Sequence, residues 1–172
     1  MKRSLMAASL MLASLNTFAT PISEIGDTCQ LIGCAQDIGV VNGGVELSGA
    51  ISGDTWADLF KFSLSTAGDI SIDTFGVLRD TRLFLFDSTG HGLLANDDTA
   101  GGLQSQITGW LSAGMYYLGV SAWDLDPINA ADEEIFADTP FGDLHSPSTV
   151  DTVLDDWNNQ GDLDRVAWNY TA

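Results

Sequence analysis

Positive charge is scarce in this chain of 172 residues: six Lys and Arg stand against 24 Asp and Glu, a formal net charge of −18 at pH 7. Nucleic-acid binding draws its affinity from basic side chains that displace counterions from phosphate, so no nucleic-acid partner is expected. Binding to an anionic membrane surface fails for the same reason. Histidine is nearly absent too, with His91 and His145 far apart in the sequence. That leaves little for a catalytic zinc site or a Ser-His-Asp triad to use, and no nucleophile-elbow pattern accompanies either residue. His91 lies between Gly90 and Gly92, and His145 beside Ser146 in an acidic stretch; both read as surface residues. Beyond the first residues no apolar run reaches the roughly 18 needed to span a bilayer as a helix, so no membrane span is expected in the mature chain.

The N-terminus reads as an export signal. Lys2 and Arg3 precede a mostly apolar stretch, Ser4 to Leu15, too short to span, and Thr17 and Ala19 are small residues at the positions expected before a cleavage site. Residues 1–19 are therefore assigned to a signal peptide and residues 20–172 to the mature protein, secreted, extracellular or periplasmic. Cleavage removes two of the six bases and leaves Lys61, Arg79, Arg82 and Arg165. So many carboxylates on one small domain repel each other, and divalent cations are the natural relief. Cys29 and Cys34 are the only cysteines. In an exported chain they imply a disulfide closing a short loop, worth at best about 2 kcal/mol by the chain-entropy estimate.

Helical periodicity is weak throughout, and period-two runs dominate. Strands are expected at Val45–Ile51, Leu59–Leu64, Ile70–Thr74, Thr81–Phe86, Gly92–Ala95, Gln106–Leu111, Met115–Val120 and Val166–Tyr170. In the second, Phe60, Phe62 and Leu64 share one face and Lys61 and Ser63 the other. The apolar residues on both faces of Met115–Val120 predict a central strand. About eight short strands separated by Gly- and Asp-rich turns predict an all-β fold, an antiparallel β-sandwich of jelly-roll type forming a single domain. Ala122 to Asp164 breaks the rhythm, with 12 acids and no Lys or Arg. This long acidic connection reads as a functional loop, with Asn129–Phe136 as a short helical turn.

The densest run of hard oxygen ligands is Asp80 to Asp98, DTRLFLFDSTGHGLLANDD. It predicts a hairpin with Asp80, Asp87, Asn96, Asp97 and Asp98 at its ends, a donor set suited to calcium. Neither the EF-hand spacing nor the glycine-rich calcium repeat is present. Paired carboxylates also serve glycoside hydrolases, which keeps a carboxylate-based hydrolase as an alternative to a non-catalytic module. A purely structural, calcium-stabilised exported protein is a further alternative. Of the five tryptophans, Trp123 and Trp157 border the acidic connection and are the candidates to stack on an extracellular polysaccharide or anchor a protein partner. Trp168 alternates with Val166 and Tyr170 and reads as core.

DLFKFSL, AGDISI, DTRLFLFDSTGHGLLANDD and LSAGMYYLGVS occur in that order, after an opening Glu24-Ile25-Gly26-Asp27 and Ala35-Gln36. Together they resemble the bacterial pre-peptidase C-terminal (PPC) domain, and in particular exported PPC-like proteins often found with PEP-CTERM sorting tails. Asp126-Pro127, Phe136 and Thr139-Pro140-Phe141 extend the resemblance into the long connection. No such tail is seen here, so attachment by that route is not expected. The resemblance implies a non-enzymatic β-sandwich that binds calcium through its N-terminal acidic segment and the turn before the DLFKF strand. Carried over, this means Glu24, Asp27, Asp54 and Asp58. Gly26 stands where the family carries Asn, which removes one side-chain ligand.

Overall fold

A computed structural model describes residues 19–51, 57–75, 80–158 and, for the backbone alone, 168–171. The signal segment up to residue 18, Asp54, Arg79 and Arg165, the ends of the acidic connection beyond residue 158, and the side chain of Trp168 lie outside the described residues. The strands are β1 (Thr20–Ser23), β2 (Gln36–Val41), β3 (Val45–Ile51), β4 (Ala57–Leu64), β5 (Gly68–Asp73) and β6 (Thr81–Asp87). They continue with β7 (Gly92–Asn96), β8 (Gln106–Leu111), β9 (Gly114–Ala122), β10 (Pro127–Ile128), β11 (Asp156–Trp157) and β12 (Trp168–Thr171). One 3-10 turn, Ile32–Cys34, follows Cys29, which is disulfide-bonded to Cys34. The fold is all-β, as expected. No helix among the described residues is long and apolar enough to cross a membrane.

A five-stranded sheet of order β2-β4-β9-β6-β7 forms the centre. β9 is its middle strand and pairs antiparallel with β4 and β6, which accounts for its apolar residues on both faces. Alternation along each strand then gives the sheet two different apolar faces. Phe60, Phe62, Leu83, Leu85, Leu118 and Val120 point to one side and meet Leu47 and Ile51 of β3 and Ile107 and Leu111 of β8. These belong to two smaller sheets, β1-β3-β12 and β5-β8, so this half is the expected sandwich. β1 and β2, both missed by the sequence reading, run parallel to β3 and β4.

The other face carries Leu59, Phe84, Phe86 and Tyr117, and its partner is the acidic connection itself. Leu125, Ile135, Phe136, Leu154 and Trp157 press onto those strands as a second core. Within the long acidic connection, residues 125–157 are a packed cover. Most acids of this segment face outward or find partners, while those five apolar residues face the sheet; Phe141, Leu144 and Val150 stay exposed. Close approach is allowed by glycine. A Cβ on Gly92 would lie 2.7 Å from Phe136, and one on Gly119 3.1 Å from Trp157.

The cover also closes the exposed edge of β7. Ala95 and His145 exchange backbone hydrogen bonds of 2.9 and 2.8 Å, and the Gly92 N–H donates to Thr152 O at 2.8 Å. An edge strand with unpaired backbone groups invites pairing with another chain, and this arrangement removes that hazard. The helical turn expected at Asn129–Phe136 is absent. Asn129 is fully buried, and its side-chain oxygen accepts from the N–H groups of Ala131 and Glu133 at 2.9 and 3.1 Å. Side-chain acceptors of this kind draw the backbone out of helix and into a turn.

Candidate metal centres

The acids are not spread evenly. Three groups converge so that one carboxylate oxygen from each member lies within 4.8 Å of the others.

The first group is Glu24, Asp27 and Asp58. Glu24 leaves β1 with its N–H bonded to Ser48 O at 2.8 Å, which holds it against β3. Its two carboxylate oxygens accept from the N–H groups of Thr28 and Ala50, both at 2.7 Å. The group is thereby fixed in orientation with lone pairs to spare. Gly26 has φ +75°. Asn tolerates that left-handed conformation, so Gly in its place keeps the turn and removes only a side-chain oxygen. Asp58 lies in β4 with no exposed surface. The structure thus brings together three of the four residues the resemblance implied.

The second group is Asp80, Asp97 and Asp98. Asp80 precedes β6 and the other two follow β7, so hairpin pairing brings the start of one strand to the end of the next. Asp97 is only 3% exposed. Each of the three retains a buried Oδ1 without a hydrogen-bond partner, and so does Asp124, just beyond β9 at the same end of the sheet. Burial, reinforced by Asp98 and Asp124, pushes the Asp80 carboxyl up to about 6. Burial pushes Asp97 up to about 7; Arg82 opposes this, while Asp80, Asp98 and Asp126 add to it. Burial raises Asp124 as well.

Two residues expected in this group serve other ends. Asp87 sits at the far tip of the hairpin, where its Oδ1 accepts from the Thr89 N–H at 2.8 Å, the Thr89 hydroxyl at 2.7 Å and the His91 N–H at 3.1 Å. Its carboxyl is lowered although burial works the other way, because these bonds favour the charged form. Asn96 has both ends of its amide engaged, accepting from Gln106 N–H at 2.6 Å and donating to Asp143 O at 3.0 Å. One is a turn residue and the other a peg for the cover.

The third group, Asp126, Glu134 and Asp138, already surrounds a cation. Arg82 is 1% exposed and bonds through Nη1 to Asp126 and, at 2.9 Å, to Asp138. Its Nη2 donates to Ala137 O at 2.8 Å, and its guanidinium lies 5.2 Å from the centre of the Phe84 ring. The sequence reading missed this role. The available signal was one Arg in an otherwise apolar strand, TRLFLF, on the same side as Phe84 and Phe86.

The tryptophans divide. Trp157 is not a surface ligand: it is 5% exposed, donates its indole N–H to Gln30 O at 2.7 Å and packs edge-on against Phe84 at 5.3 Å. Trp123 is 46% exposed. His145 is buried within the cover, with Nε2 2.9 Å from Pro140 O, which corrects its surface assignment. His91 is at the surface, with Nδ1 2.8 Å from the Thr89 hydroxyl. That hydroxyl gives its single proton to Asp87, so the ring does not activate it as a nucleophile.

Residues 57–122 match the family model of the bacterial pre-peptidase C-terminal domain. Among solved structures, a 1.0 Å crystal structure of the pre-peptidase C-terminal domain of a collagenase from Bacillus anthracis is similar over 52% of this chain and 84% of that one. The identity is 20% and the TM-score 0.43. No curated protein matches. The resemblance read from the sequence therefore holds over β4 to β9, the heart of the central sheet.

Proposed function

We propose that this pre-peptidase C-terminal-like chain is an exported, non-catalytic β-sandwich module whose fold is completed by calcium and which serves attachment to an extracellular polymer or protein. One observation carries the calcium reading: Glu24 and Asp27 of the N-terminal segment and Asp58 of β4 lie far apart in the sequence, yet their oxygens lie within 4.8 Å of one another. Three carboxylates at that spacing repel, and a hard cation that accepts six to eight oxygens in flexible geometry turns the repulsion into cross-linking of the N-terminal segment to β4. Glu24, held by two backbone donors, and the buried Asp58 would supply the fixed ligands, and Asp27 the exposed one.

The non-catalytic reading is supported by the absence, among the described residues, of a hydroxyl or thiol activated by either histidine. A cavity of about 530 Å³ is walled in large part by apolar residues such as Ile38, Phe62 and Ile70, and none of the clustered carboxylates lines it. Export rests on the leader pattern and the disulfide. Exposed Trp123 is the side chain offered for contact with a polysaccharide or protein.

The test is a thermal melt in millimolar calcium, in magnesium and after chelation. A calcium-specific rise, reduced in Asp27→Asn, is expected. An unchanged melting temperature at all three conditions would overturn the calcium reading.

A further inference from the structure

We infer that Asp80, Asp97 and Asp98, with Asp124 beside them, form a second calcium-type site, separate from the N-terminal one, that fastens the acidic cover to the sheet. It shares the calcium chemistry of the reading above but none of its residues.

Acidic clusters are common on protein surfaces, and clustering alone would assign nothing. What sets this one apart is burial without partners. Asp97 is more than nine-tenths buried, its Oδ1 has no hydrogen-bond donor, and oxygens of Asp80 and Asp98 lie within 4.8 Å. Asp80 and Asp98 each bring a further buried oxygen in the same state. The neighbouring third group shows the contrast. There the acids meet the Arg82 guanidinium, the described cation of this end of the sheet, and Arg82 bonds to none of Asp80, Asp97 and Asp98. A buried carboxylate oxygen with no donor is costly, and a cluster of them more so; Arg82, which bonds to none of the three, only partly offsets the burial of Asp97. Oxygen-only donors, three converging carboxylates with Asp124 beside them, suit a hard divalent cation of calcium size rather than zinc or copper.

The location gives the site its consequence. The Asp98 N–H donates to Phe141 O at 2.9 Å, Asn96 bonds Asp143, and Ala95 pairs with His145. The segment that carries two of the carboxylates is thus the same segment that holds residues 141–145 of the cover. Drawing the carboxylates together with a cation fixes the backbone to which the cover is stitched.

The experiment compares wild type, Asp97→Asn, Asp80→Asn, Asp27→Asn and the Asp27/Asp97 double variant, each melted with chelator and with millimolar calcium. For a single site at a hundredfold excess over Kd the calcium-induced rise is roughly 5–10 °C in a domain of this size. Asp97→Asn is expected to raise the melting temperature in chelator, since it removes a buried charge, and to cut the calcium-induced rise. Asp27→Asn should leave the share that belongs to the second site, and the double variant none. Calcium should also slow amide exchange across residues 139–146 in wild type and Asp27→Asn but not in Asp97→Asn.

A full calcium response in both Asp97→Asn and Asp80→Asn would overturn the second site while leaving the first intact. Loss of the response in Asp97→Asn alone, with Asp27→Asn unaffected, would keep the second site and remove the first. A lower melting temperature of Asp97→Asn in chelator would mean that groups of the protein itself neutralise the cluster, and would overturn the inference. Should Asp97→Asn fail to fold, Asp80→Asn carries the same tests.

Discussion

Replacing Arg82 by Met tests how the cover is held. The side chain has three links to the cover, to Asp126, Ala137 O and Asp138, and almost no exposed surface. Met keeps much of the apolar stem and removes the charge, so Asp126, itself 3% exposed, loses its counter-ion. Breaking a buried ion pair from one side costs about 3–5 kcal/mol, because the remaining charge stays desolvated. With roughly 2–4 °C per kcal/mol for a domain of this size, the melting temperature should fall by about 6–20 °C. Burial already drives the Asp126 carboxyl up and Arg82 opposes it. Without Arg82 the acid takes a proton more readily, so the penalty should shrink as pH falls from 8 towards 5. Adding Asp126→Asn should recover much of the loss, since replacing both partners of a buried pair is often nearly neutral. Thermal and urea melts of the two single variants and the double variant close the cycle. A loss below about 1 kcal/mol in Arg82→Met, or no recovery in the double variant, would show that the contacts to Arg82 do not hold the cover.

Two further outcomes follow from the same geometry. In chelator, the raised carboxyls of Asp80 and Asp97 make the folded state the tighter proton binder. Their protonation therefore stabilises the fold fully below the unfolded value near 4, and this contribution is lost as pH rises through about 6 to 7. Melting temperature in chelator should fall between pH 5 and pH 8, and the calcium-induced rise should grow over the same interval; a flat profile would contradict the burial of these acids. Trp157→Ala should cost about 3–5 kcal/mol, as for other buried aromatics, whereas Trp123→Ala should stay within about 0.5 kcal/mol and affect only partner binding. Equal effects in urea melts would place Trp157 at the surface after all.

The central sheet was readable because its physics is local. Period-two alternation and Gly- and Asp-rich turns mark β3 to β9, and the bounds of β3 and β8 agree with expectation to the residue. β1 and β2 were hidden because their inward positions are few: in β2 only Gln36, Ile38 and Val41 are even partly buried, and the strand carries a bulge at Asp37–Gly39. The cover was misread for a different reason. Its apolar anchors, Leu125, Ile135, Phe136, Leu154 and Trp157, follow no period, because an irregular chain that lies across a sheet places side chains by tertiary contact alone. The same holds for Arg82, whose acids come from 44 and 56 residues away. Of the candidate ligands, those next to strand ends were brought together by register, as with Asp80 and Asp97. Asp87 and Asn96 were grouped with them by sequence proximity, which a hairpin does not respect at its tip or for a side chain already engaged.

Charge and cover bear on one another. A cover with acids on its outer side cannot rely on electrostatic attraction to a sheet whose described cations are Lys61 and Arg82. Lys61 is spent on Asp37 at 2.7 Å, far along β4 from the cover's acids. Arg82 alone therefore meets Asp126 and Asp138, and the apolar contacts of Trp157, Phe136 and Ile135 carry the rest of the attachment. The remaining carboxylates at that end of the sheet, Asp80, Asp97, Asp98 and Asp124, have no described basic side chain bonded to them. On the second-site inference, supplying that missing positive charge from solution would make cover attachment conditional on the ion. A protein with Arg or Lys at position 124 would not need it, so Asp124→Lys is expected to raise the melting temperature in chelator and to blunt the calcium response. If the lysine instead destabilised the protein in chelator and left the response whole, the cluster would not be short of positive charge, and the link between ion and cover would fail.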